Sequence, residues 1–404
     1  MLASIAANLR DLPRALTLPA LLSGLLVIVV GSASSLVIVF QAASAAQLDA
    51  DHTSSWVVAL MLGCAFSCIV MSLWFRQPVI AAWSTPGVVL LVDSFKVALA
   101  TPGYNYGDYV GAFAVASLAI ILLGASGLFG WVMARVPTSV VMGMLAGVLI
   151  RFGFGLFNAI PEDAALVLAM IAVFYLLRRL EFRAPTVGAL VVGIIVAALG
   201  NTIHLESLNI ALATPVYTPP SLTLQTLLGV ALPLAALALT AQNAPGQAVL
   251  KNAGYNLPIN GALVVTGLAS LLGAPFGGHG ITLAAITATL VTGPESHPDK
   301  DLRYGAGVAT GLWYLLLGIF GATLVSVFTA LPHPLIAAIA GLGLLGALSS
   351  SLAASMSDPQ SRDGGLIALL CTAANFTLLG IGAPFWGLVF GVAVEWVLRW
   401  RKKN

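Results

Sequence analysis

Charge is what this sequence is short of. Only 8% of its 404 residues are Asp, Glu, Lys or Arg, against roughly 25% in a soluble domain. Meanwhile 59% are hydrophobic and the mean hydropathy is +1.00. A chain with so little polar surface is not a soluble enzyme, a nucleic-acid binder or a disordered protein. Cysteine is also sparse: Cys64, Cys68 and Cys371 each lie in an apolar run and read as small hydrophobes, with no disulfide or metal framework. HExxH and GxSxG motifs are missing, and the histidines at 52, 204, 279, 297 and 333 are scattered, which argues against an intramembrane hydrolase. No ring of charges or repeated filter sequence suggests a channel. No metal, cofactor or nucleic-acid partner is expected.

What the sequence does have is apolar length. A bilayer crossing takes roughly 20 apolar residues, so the chain accommodates about 13–16 spans with their loops. The first run, from Ala15 to about Ala46, ends in Ala-Ala-Ser-Ala-Ala like a cleavage site. It is more than twice the roughly 7–15-residue core of a cleaved signal, so it reads as a retained first span. Charged, Pro-rich and Gly-rich breaks predict further spans near 56–75, 79–98, 109–130, 137–157, 163–180 and 184–200. A linker over 201–223, with Pro215, Pro219 and Pro220, precedes spans near 224–247, 257–273, 275–292, 304–328, 332–353, 364–380 and 384–400.

Threading these fourteen spans with both termini in the cytoplasm puts Arg10, Arg14, Arg76, Arg135, Arg178, Arg179, Arg183, Lys251, Lys300, Arg303, Arg362, Arg399, Arg401, Lys402 and Lys403 inside. Only Lys96 and Arg151 fall elsewhere. That bias is what the positive-inside rule expects of a correct span count. Asp49, Asp51, Asp108, Glu162, Asp163 and Glu206 collect outside.

Seven spans per half is an odd number, so the second half (224–404) enters the membrane from the side opposite to the first (1–200). This is the inverted repeat of many secondary transporters. The predicted fold class is an all-α polytopic membrane protein of two inverted seven-span repeats. In third place within each half lies an irregular segment: Gln77-Pro-Val-Ile-Ala-Ala-Trp-Ser-Thr-Pro-Gly87 before Val88 to Phe95, and Ala274-Pro-Phe-Gly-Gly-His-Gly280 before Ile281 to Val291. Pro and Gly are poor inside helices, so spans 3 and 10 are predicted to be short strands running into half-helices. The half-helix N-termini, near Ser84, Thr85 and Gly87 and near Gly278, His279, Gly280 and Ile281, would expose N–H groups and positive dipole ends to a small anion. Ordinary kinked helices are the competing reading. Gln242 and Asn243 place amides at a costly depth and can donate to a carboxylate. Ser32, Ser34, Ser35 and Gln41 form a weaker polar stripe on the first span, for which helix-to-helix hydrogen bonding is the alternative.

The stretches Ser34-Ser-Leu-Val-Ile-Val-Phe-Gln-Ala-Ala43, Ala82-Trp-Ser-Thr-Pro-Gly87, Gln242-Asn-Ala-Pro-Gly246, Ala274-Pro-Phe-Gly-Gly-His279, Thr292-Gly-Pro-Glu-Ser-His-Pro298 and Gly380-Ile-Gly-Ala-Pro-Phe-Trp-Gly387 resemble the bacterial benzoate:proton symporter family over nearly the whole chain. The resemblance implies a core domain of spans 1–4 and 8–11 (about 15–130 and 224–328) and a gate domain of spans 5–7 and 12–14 (about 137–200 and 332–400). It implies import of a small aromatic carboxylate with protons across the bacterial inner membrane. Related folds often dimerise, so a homodimer is a further expectation. In the related uracil carriers acidic residues on spans 8 and 10 bind substrate. Here the matching regions hold Gln242, Asn243 and His279, which suits an anion, since a carboxylate would repel it. A nucleobase or an inorganic anion is the alternative cargo.

His279 has an ordinary pKa near 6.5 and is the first candidate proton carrier, with a plain hydrogen bond to a neighbouring span as its alternative role. Asp93 is the second. Lys96, three residues on, is placed to form an i, i+3 pair that would keep Asp93 ionised. Arg151 and Glu395 read as structural, snorkelling or paired. Glu295, His297, Asp299, Lys300 and Asp301 read as a solvated turn or part of an inner gate. Trp83, Phe276 and Phe40 could form an apolar wall for the substrate ring, with Phe385 and Trp386 on the gate side as weaker choices.

Overall fold

The computed structural model describes residues 2–99, 103–182, 184–203, 206, 208–285 and 287–400, without the side chains of Leu2, Ala3, Ser34, Arg399 and Trp400. Arg183, His204, Arg401, Lys402, Lys403 and the Ser34 side chain therefore lie outside the described residues.

Where hydrocarbon surrounds a chain, its N–H and C=O groups must bond internally, and the apolar runs become helices. The N-terminal half contains α1 (Leu2–Ala15), α2 (Leu18–Ala45), α3 (Ala50–Phe75), β1 (Ala81–Trp83), α4 (Thr85–Leu99), α5 (Tyr106–Ser126), α6 (Phe129–Met133), α7 (Thr138–Asn158), α8 (Ala164–Arg179) and α9 (Pro185–Leu199). After an extended stretch come α10 (Leu224–Asn252), α11 (Ile259–Gly273), β2 (Ile281–Leu283), α12 (Thr289–Thr292), α13 (Tyr304–Ile319), α14 (Gly321–Thr329), α15 (His333–Met356), α16 (Arg362–Ala373), β3 (Thr377–Leu378), β4 (Ile381–Gly382) and α17 (Ala383–Trp400). Among the described residues, seven helices are long and apolar enough to cross a membrane; α13, taken back to Lys300, and α14, bent by 67° across Phe320, pass together as an eighth. Leu122, Phe154, Leu176, Leu199 and Trp396 are among many large apolar side chains left exposed on the outside of the bundle, where lipid would meet them.

Some helix starts carry polar caps. Asp49 accepts from His52 N–H, Asn105 from Gly107 N–H and Asp163 from Leu166 N–H, while Thr223 and Thr226 form a reciprocal box at the start of α10. Two of the acidic residues assigned to the outer face are thus N-caps. Within α10, π-helical turns occupy Leu227–Ala231 and Ala238–Asn243, a distortion common at functional positions.

Two departures from the sequence expectation stand out. The second half-helix does not start at Ile281: Ile281–Leu283 is a strand and the helix is confined to Thr289–Thr292. Ile281 and Thr282 are β-branched and favour extended backbone, and β1 offers the strand a partner. Ala274–Phe276, expected to be extended, is a 3-10 turn. In addition, α16 ends at Ala373, not near 380, because the chain folds into a β3–β4 hairpin whose turn residues Leu379 and Gly380 both have positive φ, as a type I′ turn requires.

The helices pack in two sets. In the first, α3 lies on α13, α5 on α11 and α2 on α4 and α13; in the second, α7 lies on α15 and α16, α16 on α17 and α8 on α9. At Gly143 an added Cβ would run into the Gly365 carbonyl, which is how α7 and α16 approach so closely. The sets touch through α2 against α15 and α9, and through α4 against α7.

Candidate functional site

At the centre of the first set, β1 and β2 run antiparallel, with Ala81 opposite Leu283, Ala82 opposite Thr282 and Trp83 opposite Ile281. Ser84 N–H donates to the Gly280 carbonyl at 2.7 Å and Ala284 N–H to the Ile80 carbonyl at 2.9 Å, extending the ladder at both ends. A two-stranded ribbon leaves N–H and C=O groups along each outer edge, and in an apolar interior each is costly. Side chains from flanking helices meet several of them. On the β1 side, Cys68 Sγ of α3 accepts from Ala81 N–H at 3.1 Å and donates to the Ala81 carbonyl at 3.4 Å. One turn on, Ser72 Oγ does the same for Val79, at 3.3 and 3.2 Å. On the β2 side, Ser270 Oγ of α11 accepts from Ile281 N–H at 2.8 Å and Asn243 Oδ1 of α10 from Leu283 N–H at 3.0 Å.

The start of α4 is less open than the sequence suggested. Ser84 Oγ accepts from Gly87 N–H at 3.1 Å and its carbonyl accepts from Val88 N–H at 3.0 Å. Pro86 has no N–H, so Thr85 carries the remaining donor of the first turn. Around His279 no helix begins: the N–H groups of Gly277 and Gly278 bond the Ala274 and Gly273 carbonyls, and that of Ile281 bonds Ser270. Gly280, at φ +59°, takes a left-handed conformation and lies so close that an added Cβ would sit 3.2 Å from Ser84 Cβ.

His279 is fully buried. Its ring stacks on Phe113 with centroids 4.7 Å apart, and its Nδ1 lies 3.1 Å from Trp56 Nε1. An indole N–H only donates, so Nδ1 must accept, and the ring is neutral with its proton on Nε2. The 3.3 Å approach of Nδ1 to the Gly277 carbonyl is then a contact and not a donated bond. His279 Nε2 has no partner among the described residues, and neither do Asn243 Nδ2 and Trp83 Nε1, all buried. A cavity of about 20 Å³ beside His279 is lined by Phe113, Ser117, Leu234, Ala238, Ser270 and Gly280, among others. It is large enough for one water.

The other candidates separate. Gln242 is half-buried beside Asn243, Thr85 and Gln41 are half-buried, and Gly278 packs against Ala59. The three aromatic candidates each meet a different ring: the Trp83 ring meets Tyr314 at 6.2 Å, the Phe40 ring stacks on Phe328 at 4.3 Å and the Phe276 ring meets Tyr217 at 6.1 Å. Asp93 pairs not with Lys96 but with Arg151, at 2.8 Å between α4 and α7, because Arg151 reaches it from the facing helix. A cleft of about 240 Å³ opens between Ser94, Tyr109, Thr226, Val230 and Gly382. Sequence reasoning missed Trp56, Cys68, Ser72 and Ser270 as partners of the site. The i, i+4 spacing of Cys68 and Ser72, facing one another along α3, was the available signal.

Relatives bear on this arrangement. The family model for the benzoate membrane transport protein (BenE) matches residues 14–397. The inner membrane protein YdcO of Escherichia coli (strain K12) is 37% identical over 373 residues, covering 92% of this chain and 94% of that protein. The benzoate membrane transport protein of Acinetobacter baylyi (strain ATCC 33305 / BD413 / ADP1) is 36% identical over 390 residues, covering 96% and 98%. In fold, the chain is similar to the transmembrane domain of a cyanobacterium bicarbonate transporter, BicA (TM-score 0.60, 17% identity, 94% of this chain and 96% of that one). It is also similar to the murine anion transporter Slc26a9 in its inward-facing state (TM-score 0.61, 14% identity, 98% and 71%). The molecule is a multi-pass inner-membrane transport protein and not an enzyme. The chain belongs to the benzoate membrane transport protein family.

Proposed function

We propose that the protein carries benzoate or a similar small aromatic carboxylate into the cell together with protons, by alternating access, with the substrate held where β1, β2 and the start of α4 meet α10. The observation that carries this reading is the set of buried, unpartnered N–H donors around the ribbon, Asn243 Nδ2, His279 Nε2 and Trp83 Nε1. Residues 78–92, 239–250 and 274–292 contain no Asp or Glu. Donors without nearby carboxylates favour an anion. Thr85 and the half-buried Gln242 supply further donors, and Gly280 lets the two strand segments approach.

In this reading the chain crosses the membrane fourteen times as two inverted halves, with both termini cytoplasmic. Spans 3 and 10 are the strand-and-helix segments β1–α4 and β2–α12. The first packing set, α2 to α5 with α10 to α14, is the core that moves. The second, α7 to α9 with α15 to α17, is the gate. The distribution of charges supports the orientation, and contacts support a two-ended bundle. At one end Arg76 binds Asp11 and Asn8, Lys300 binds the Gly254 carbonyl and Arg303 binds the carbonyls of Thr292 and His297. At the other, Tyr104 binds the Ala46 carbonyl and Ser221 joins Asn105 to Asp108.

A ligand panel on purified protein tests the cargo class. Benzoate and substituted benzoates are expected to raise the unfolding temperature with the logarithm of their concentration once above Kd, and uracil, bicarbonate and sulfate are not. Stabilisation by a nucleobase or an inorganic anion alone would contradict the assignment.

A further inference from the structure

We propose that Asp93 is the proton-coupling residue and that its ion pair with Arg151 is the contact that proton uptake opens between the two helix sets. This rests on the proton-driven reading above and assigns its proton site. Asp93 lies on α4, which leads directly from the ribbon, and Arg151 on α7, which packs with α15 and α16. Their side chains are 12% and 20% exposed, whereas both partners are more than a third exposed in Arg76–Asp11 and His333–Glu162. An ion pair at this position must break whenever α4 slides past α7.

Breaking it with both charges in place would strand two poorly hydrated ions. Protonation removes that obstacle: the Asp93 carboxylate takes up one proton and becomes neutral. Arg151 keeps acceptors of its own, since its Nη2 lies 3.4 Å from the carbonyls of Thr372 and Ala373. These close α16 at its C-terminal end, where a cation is favoured. Lys96 is the other charged group near Asp93 and sits on the same helix. The residues of α2, the 227–237 part of α10 and β4, all packed against α4, bring no ionisable side chain. From α5, Tyr109 is occupied by the Ser94 carbonyl at 2.9 Å, and Asp108 binds Ser221. The cleft of about 240 Å³ reaches Ser94, next to Asp93, and gives protons a way in. His279 does not fill this role, because its Nδ1 is held as an acceptor by Trp56.

Two assays in proteoliposomes separate coupling from transport: accumulation of labelled benzoate driven by an inward proton gradient, and counterflow of labelled against unlabelled benzoate at equal pH. Asp93→Asn, and Asp93→Asn combined with Arg151→Gln so that no cation is stranded, are the variants. The expected result is that neither accumulates benzoate with the gradient while at least one keeps counterflow. Gradient-driven accumulation above that of protein-free liposomes in either variant overturns the proposal, as does loss of counterflow in both, which would make the pair purely structural. Wild-type protein that moves no benzoate in either assay would instead overturn the transport reading.

Discussion

Trp56 Nε1 and His279 Nδ1 are 3.1 Å apart, and this bond sets what His279 can do. The indole hydrogen occupies Nδ1, so the imidazole presents a single N–H, on Nε2, from a buried position against Phe113. A neutral ring with a fixed tautomer is a directional donor for a carboxylate.

Trp56→Phe keeps an aromatic ring against Phe95 and His279 but leaves Nδ1 without its donor. The expected cost is about 1–3 kcal/mol, that of a buried polar atom losing its partner. The imidazole should then sample both tautomers, visible as altered nitrogen shifts in protein labelled with ¹⁵N-histidine, and benzoate affinity should fall. A wild-type spectrum with the proton on Nδ1 would contradict the assignment.

Asn243 and Gln242 adjoin in sequence but are expected to fail differently. Asn243→Ala removes the acceptor for Leu283 N–H, so it should lower stability by about 1–3 kcal/mol as well as weaken binding. Gln242→Ala, at a half-buried position, should weaken binding with the unfolding temperature nearly unchanged. Thermal unfolding and equilibrium binding on both variants check this, and equal losses of stability would remove the distinction.

The contrast between these two amides shows what the sequence made legible. The apolar runs and Pro-Gly breaks pointed to a largely helical membrane protein and to irregular backbone near 77–87 and 274–280, because those signals are local. Pairing is not local: that Ile281 meets Trp83, that Cys68 and Asn243 close the two outer edges, and that Arg151 rather than Lys96 neutralises Asp93 depend on which elements face one another, across separations from 13 residues for Cys68 and Ala81 and 40 for Asn243 and Leu283 to most of a repeat for Trp83 and Ile281. The short α12 was missed for the same reason, since β-branched residues take a strand only where a partner strand exists.

The cysteines make a reactivity prediction. Cys64 and Cys68 are fully buried and Cys371 only partly. N-ethylmaleimide should label Cys371 well before the other two, as followed by mass spectrometry of the folded protein. Cys68→Val should be less stable than Cys68→Ser, because valine offers nothing to Ala81 N–H.

Asp49 gives a pH dependence. Its carboxyl is held below its ordinary value of 3.8, first by the His52 N–H and then by the His52 ring. A depressed folded-state pKa contributes stability above the unfolded value that is lost as pH falls through the folded one. The side chain is 66% exposed, so the acid effect is small. Asp49→Ala should cost about 0.5–2 kcal/mol as a lost N-cap and flatten the decline in stability below about pH 4. Unfolding curves from pH 7 to 3 measure both.

The most direct measurement is uptake of radiolabelled benzoate by wild-type protein in sealed proteoliposomes, with and without an imposed inward proton gradient. A proton-coupled carboxylate carrier accumulates benzoate above the level of protein-free liposomes, more with the gradient than without it, and excess unlabelled benzoate abolishes the signal. Uptake indifferent to the gradient, or no greater than in protein-free liposomes, would contradict it.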